Sequence, residues 1–157
     1  MAIDVDGLVE EVTTFLQDDP LVNVLIRRSE FSEDLVKLAV QMMIDAFNQI
    51  NWRSRFTAGD FPEATKNIQI YGTAGHLFLS AAALQTRNNL PYNDAGTTVA
   101  EFGKSGEYSA LAQTYIGYFE KYALALKYEM NLAMGWGGTP SEYSYYGGYA
   151  NFLGNTV

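Results

Sequence analysis

Residues 107–134 carry the longest helical pattern in the sequence, and this pattern limits the fold more than any other feature. A single helix of 28 residues spans roughly 42 Å. Its first apolar stripe recurs at intervals of one, three and four residues: Tyr108, Leu111, Ala112, Tyr115, Phe119, Tyr122, Leu126 and Met130. Because such a stripe must be covered by other helices, the sequence predicts a mainly α fold.

A second apolar stripe is offset from the first on the same predicted helix. Its members are Tyr118, Leu124, Ala125, Tyr128 and Leu132. A four-helix domain needs only one buried face from this helix, so the second stripe requires another partner. We therefore expect the second stripe to form an interface with a neighbouring subunit.

Two shorter helical patterns come first in the chain. The first starts after Asp4 or Asp6, both of which are N-cap residue types, and should stop near Asp18. The second has Ser32 as its candidate N-cap. Its polar side chains form one narrow stripe, which predicts a helix buried over most of its circumference. That stripe consists of Asp34, Lys37, Gln41, Asp45 and Asn48.

A third pattern runs from about Glu63 to Arg87. Its predicted polar stripe is Lys66, Gln69, Thr73, His76, Ser80 and Arg87. Gly72 and Gly75 lie three residues apart inside this helix, and each glycine costs about 1 kcal/mol relative to alanine in a helix interior. Two glycines at this spacing predict that another backbone passes close by.

The connections between these helices differ in length. Residues 51–64 read as a loop held down by Trp52, Phe56 and Phe61. Residues 88–106 form a longer connection, interpreted as an extended loop or a small β excursion with a candidate strand over 97–102. The predicted architecture is a four-helix bundle-like domain over residues 1–134, followed by a C-terminal arm over 135–157.

The predicted arm has a composition unlike the rest of the chain. It contains six glycines, six aromatic residues, no Lys or Arg, and one acid, Glu142. The aromatics are Trp136, Tyr143, Tyr145, Tyr146, Tyr149 and Phe152. Paired glycines and Pro140 exclude a regular helix here. Tyrosine and tryptophan offer large contact areas at low entropic cost, so we expect these aromatics to dock on another chain.

Charge and cysteine content exclude several classes of function. With 10 basic and 18 acidic residues, the formal net charge is −8, which disfavours nonspecific binding to DNA or to anionic membranes. The absence of cysteine excludes disulfides, thiolate metal sites and thiol nucleophiles. No apolar run approaches a membrane span, and the first residues do not resemble a signal peptide.

The sequence offers weak candidates for chemistry. His76 and Ser80 are spaced like a base and a nucleophile on one helix, but no orienting acid accompanies them. The acidic N-terminal cluster lacks the ligand spacing of a calcium loop and is interpreted as capping and solvated charge. We expect no catalytic residue, no cofactor and no metal site.

Two segments resemble small structural proteins of tailed bacteriophages. One is Arg28–Gln41 (RSEFSEDLVKLAVQ), followed by Asp45–Asn48. The other is Ala74–Tyr92, followed by the turn Asn93–Gly96. The layout over residues 1–134 is similar to that of the head–tail adaptor (neck, or connector) proteins.

This resemblance implies a non-enzymatic virion protein at the head–tail junction, assembled in the host cytoplasm. It implies a homo-oligomeric ring of twelve copies that links the portal protein to a downstream neck or tail protein. Genome DNA would pass through the lumen without specific binding. Two alternatives remain at this point: another tail-completion or baseplate protein, and a cytosolic helical ligand-binding module.

Overall fold

A computed structural model describes residues 3–19, 21, 28–51, 53–62, 66–88, 92–94, 97–99 and 104–136. Four helices and one pair of short strands account for most of them. In chain order these are α1 (Val5–Phe15), α2 (Glu33–Gln49), α3 (Lys66–Asn88), β1 (Tyr92–Asp94), β2 (Thr97–Val99) and α4 (Ser105–Trp136). The predicted mainly α, four-helix fold is confirmed. No described helix is long and apolar enough to cross a membrane.

The chain divides into two compact units, residues 1–124 and 125–157. All of α1, α2 and α3 belong to the first unit, together with the first 20 residues of α4. In the second unit the structure describes only the helical residues 125–136. The domain boundary that the sequence predicts, between residues 134 and 135, stays a prediction.

Helix α1 begins at the cap that the sequence predicts and ends earlier than expected. The Asp4 carboxylate accepts a hydrogen bond from Gly7 N at 3.1 Å. The helix ends at Phe15 because Gln17 adopts a left-handed conformation with φ 54°. Gln17 N then donates to Thr14 O, and Asp18 N donates to Thr13 O, the two hydrogen bonds of a Schellman motif.

Helix α2 also starts at its predicted cap, since Ser32 Oγ accepts from Leu35 N at 3.3 Å. Its inner side is buried along its length by Val36, Ala39, Val40, Met43, Ile44 and Phe47. The predicted burial over most of the circumference is wrong. Leu38 is 55% exposed and Met42 is 42% exposed, because no described residue of the first unit covers that side fully.

The loop after α2 is held against the helix by aromatic packing, as predicted. The Phe56 and Phe61 rings lie 6.1 Å and 4.9 Å from the Phe47 ring, centroid to centroid. Both Phe47 and Phe61 are fully buried. Trp52, the third predicted anchor, lies outside the described residues.

The two glycines of α3 allow close packing against α2 and α4. A Cβ atom on Gly75 would lie 2.7 Å from Ile116 Cγ1 and 3.2 Å from the Ile116 backbone nitrogen. The predicted approach of another backbone is therefore confirmed at Gly75. At Gly72 the neighbours are side chains instead, since a Cβ atom would collide with Met43 and Phe119.

The connection between α3 and α4 contains the predicted β excursion. Strands β1 and β2 pair antiparallel, with Tyr92 opposite Val99, Asn93 opposite Thr98 and Asp94 opposite Thr97. Only residues 97–99 of the predicted strand 97–102 lie in β2; residues 100–102 lie outside the described residues.

Helix α4 is longer at both ends than the predicted 107–134. Gly135 and Trp136, which the sequence assigns to the arm, are the last two residues of α4. A single glycine costs about 1 kcal/mol in a helix, which is too little to end a helix of 32 residues. The remaining arm residues, including Tyr143, Tyr145, Tyr146, Tyr149 and Phe152, lie outside the described residues.

Candidate assembly surface

Helix α4 buries one face within the first unit. Ala112, Phe119 and Ala123 are almost completely buried there. Phe119 lies beside Gly72, and Ala112 and Ile116 lie beside Gly75. The missing side chains on α3 let the two helices approach closely, which fixes the rotation of α4 and decides which residues face outward.

The outward face of α4 keeps large apolar side chains in contact with solvent. Tyr118 is 48% exposed and Leu111 is 40% exposed in the first unit. Within the second unit, Tyr128 is 51% exposed and Leu132 is 58% exposed. Ala125 is also exposed, while Leu124 is half-buried. As far as the described residues show, the side chains of the second stripe are therefore largely exposed. Their role in an interface stays a prediction.

The first stripe of α4 is less completely buried than the sequence predicts. Leu111 and Tyr122 are each exposed by about two fifths, although both belong to that stripe. These two residues extend the exposed apolar surface.

Ring stacking holds the tyrosines of α4 in place. Tyr71 of α3 stacks on Tyr115 with centroids 5.9 Å apart, and Phe78 stacks on Tyr115 at 5.7 Å. Tyr71 also lies 5.7 Å from Tyr118 and 6.3 Å from Tyr122. The exposed tyrosine rings therefore rest on a layer of aromatic side chains. A rigid aromatic surface loses little side-chain entropy when a partner binds.

The start of α4 is tied to the segment before α2. Tyr108 Oη donates a hydrogen bond to Glu30 Oε1 at 2.6 Å, and its ring stacks on Phe78. Desolvation, followed by this bond to the Glu30 carboxylate, raises the pKa of Tyr108 to about 12. Its hydroxyl stays protonated at neutral pH and keeps donating to the carboxylate.

Gly117 is the most informative small residue on the outward face. It lies next to Tyr118, and a Cβ atom there would meet no atom within 4 Å. Packing within the described residues therefore gives no reason for a glycine in the middle of α4. Sequence reasoning missed this position, although a lone glycine inside a strong helical pattern was the available signal.

Two further exposed apolar pairs lie on other helices of the first unit. Leu38 and Met42 lie one turn apart on α2, and Leu79 and Leu84 are exposed on α3. The sequence predicts Leu38 and Met42 to be buried, because they lie off the polar stripe of α2, and it predicts nothing about Leu79 or Leu84. These helices carry apolar residues on several sides, so the sequence alone does not show which of those residues are exposed.

His76, one member of the candidate catalytic pair, is half-buried in α3. Its Nδ1 atom is buried and has no hydrogen-bond partner among the described residues. Burial lowers the pKa of His76 and favours its neutral form. Thr73, placed by the sequence on the polar stripe, is fully buried and its hydroxyl is also unpaired there. A buried unpaired polar atom destabilises the fold by about 1–3 kcal/mol.

The acidic N-terminal residues are used for capping and ion pairs. Asp4 caps α1, Asp6 binds Lys37 Nζ at 2.9 Å, and Glu11 pairs with Lys66. In the part of the chain that the structure describes, no three His, Asp or Glu side chains come together as a metal site.

Two depressions on the described surface are open grooves. One lies between α1 and α3 and is lined by Glu10, Glu11, Thr14, Phe15, Lys66 and Ile70. The other follows the end of α2 and the next loop. Neither encloses a ligand, so these grooves give no support to the ligand-binding alternative.

Comparisons with protein-family models, with curated protein sequences and with solved structures find no match.

Proposed function

We propose that this chain is a structural subunit that assembles through the outward face of α4 into a homo-oligomeric ring. The observation that carries the proposal is the exposed aromatic surface at Tyr118 and Tyr122, whose rings both contact Tyr71 of α3. Contiguous exposed apolar side chains on a structured helix are typical of protein–protein interfaces. The central tyrosines are also the residue type most often found at interface hot spots.

A closed ring needs two different surfaces, since each subunit binds one neighbour in front and one behind. The outward face of α4 supplies one candidate surface. Leu38 and Met42 on α2 supply a second surface of different composition. This pair of unlike apolar surfaces favours head-to-tail assembly over a symmetric dimer.

The biological setting in this proposal comes from the sequence resemblance to head–tail adaptor proteins of tailed phages. In that setting the ring of twelve copies joins the portal protein to a downstream neck or tail protein in the virion. The net charge of −8 supports a channel wall that repels the phosphates of the passing genome DNA. The C-terminal aromatics are proposed to dock on the portal or on an adjacent subunit: Trp136 at the end of α4, and Tyr143, Tyr145, Tyr146, Tyr149 and Phe152 in the arm.

Negative-stain microscopy of the purified full chain, with and without portal protein, tests the setting directly. The proposal predicts rings that bind to the portal. Rings that bind only to isolated tails would favour a tail-completion protein instead. A chain that forms no ring and leaves the portal bare would contradict the proposal.

Removing residues 141–157 tests the role of the arm. We expect the shortened chain to keep its helical circular dichroism and cooperative thermal unfolding, and to lose portal binding or ring assembly. Unfolding of the shortened chain would show that the arm belongs to the core. Normal assembly would assign docking to the outward face of α4 alone.

A further inference from the structure

The loop that follows α2 carries two arginines, Arg53 and Arg55. Both are exposed, and neither forms an ion pair or a hydrogen bond within the described residues. Arg87, Lys104 and Lys121 also have no ion pair among the described residues, so the feature that sets Arg53 and Arg55 apart is that two such cations lie two residues apart on one segment. By contrast, Lys37 binds two carboxylates, and Lys66 pairs with Glu11.

The segment that carries the two arginines is held in a defined shape by Asn48. The Asn48 amide donates to Phe56 O at 2.8 Å, while its oxygen accepts from Phe56 N at 2.9 Å and from Ser54 Oγ at 2.9 Å. Ser54 N also donates to Asn48 O at 3.1 Å. With the Phe56 ring packed on Phe47, the segment is fixed at both backbone and side chain.

Exposure alternates along this segment. Arg53, Arg55 and Thr57 are exposed, while Ser54 and Phe56 between them are half-buried. This alternation is that of an extended strand with one face against the protein. In an extended chain, alternate residues lie about 7 Å apart, so the two guanidinium groups start from neighbouring points on the same outward face.

The arginines open onto a polar groove of about 850 Å³. Its walls are Asp45, Asn48, Gln49, Arg53, Ser54 and Arg55. Guanidinium groups bind carboxylates through two parallel hydrogen bonds, and the exposed side-chain amide of Gln49 can donate to and accept from a peptide backbone. The groove therefore matches a peptide that carries carboxylates and free backbone amides.

We infer that this groove binds an extended acidic segment of a partner protein, with carboxylates at alternate positions facing Arg53 and Arg55. A nucleic acid fits less well, because two cations neutralise too few phosphates. The chain itself has one pair of acids at this spacing, Asp4 and Asp6. Both are engaged, one as the α1 cap and one with Lys37, so the partner is a different protein.

Fluorescence anisotropy with labelled peptides tests this inference on the full chain. The probe is a short peptide of alternating Glu and Ser. A second peptide of equal composition places its glutamates in one block, and a single-stranded oligonucleotide of equal charge serves as the nucleic-acid probe. We expect the alternating peptide to bind more tightly than both, with affinity that falls as salt is raised.

Two variants locate the site. Arg53→Gln with Arg55→Gln should weaken peptide binding at least tenfold, and lysine at both positions should still weaken it several-fold, because lysine lacks the planar fork. The matched control, Arg87→Gln with Lys104→Gln, removes the same charge at two exposed positions and should leave binding unchanged. Equal loss in the control, tighter binding of the oligonucleotide, or no peptide binding would overturn the inference. None of these outcomes depends on whether the chain forms rings.

Discussion

Both faces of α4 carry large aromatic side chains, but only one face is covered. Phe119 is 2% exposed, whereas its neighbour in sequence, Tyr118, is 48% exposed. Because successive helical residues point about 100° apart, Phe119 packs beside Gly72 of α3 while Tyr118 lies at the edge of that contact, against Tyr71. Apolar content therefore identifies surface that needs cover, while the shape of the neighbouring helix decides whether the chain supplies that cover itself.

The same contrast holds between two glycines. Gly75 faces Ile116 across a contact with no room for a methyl group, while Gly117 faces open space. Within the described residues, packing explains the first glycine and leaves the second unexplained. In the proposed assembly, a neighbouring subunit would occupy the space above Gly117.

The largest expected effect separates Phe119 from Tyr118. Phe119→Ala should lower the free energy of unfolding by about 3–5 kcal/mol, because it empties a buried ring position. Tyr118→Ala should change it by less than about 1 kcal/mol in the dissociated chain, because half of the ring is already exposed. Urea unfolding at low protein concentration measures both. Equal losses would mean that the two faces of α4 contribute alike to the core.

The glycine pair should shift stability in opposite directions. Gly75→Ala should destabilise the chain by about 1–3 kcal/mol, since the α4 backbone must move to admit the methyl group. Gly117→Ala should stabilise it by up to about 1 kcal/mol through helix propensity.

Gly106→Ala is the matched control for Gly117→Ala, because Gly106 also lies in α4 with open space around it. Only the change at Gly117 should weaken assembly, as followed by light scattering. If both substitutions leave assembly intact, the surface around Gly117 is not an interface.

Thr73 tests the cost of a buried, unpaired hydroxyl in α3. Thr73→Val replaces a buried unpaired hydroxyl by a methyl group of similar size, and should raise the free energy of unfolding by about 1 kcal/mol. Thermal and urea unfolding measure the change. A loss of stability would show that the hydroxyl has a hydrogen-bond partner, such as an ordered water.

His76 should make the free energy of unfolding weakly dependent on pH. Burial lowers the pKa of His76 in the folded chain, so below pH of about 6.5 the unfolded chain takes up the proton first. Stability is therefore full above that pH and falls as the pH drops toward the folded pKa. His76→Gln should remove this part of the pH dependence. If the variant shows the same dependence of stability on pH, that dependence comes from the carboxylates and not from His76.

Much of the fold follows from local sequence signals. Ser32 caps α2 as predicted, and the spacing of Gly72 and Gly75 predicts the close packing at α3. The end of α1 was missed, because Gln17 occupies the left-handed position where glycine is usual. A glutamine side chain does not favour the left-handed conformation, so the sequence gives no signal for it.

The candidate surface could be predicted only in part. The exposed residues Tyr118, Tyr128 and Leu132 lie on the stripe that the sequence set apart. Leu38 and Met42 were missed, since their exposure depends on which helices pack beside α2 and on nothing local to it. Helical periodicity shows which faces of a helix are apolar, whereas tertiary contacts determine which of those faces are exposed to solvent.

The mass of the full chain in solution tests the central claim most directly. Size-exclusion chromatography with multi-angle light scattering should give the wild-type chain a mass that is a multiple of 17.4 kDa. Tyr118→Asp, which places a charge in the centre of the exposed surface, should give a folded chain of monomer mass. A wild-type chain that stays monomeric at tens of micromolar, or a Tyr118→Asp chain that assembles normally, would contradict the account.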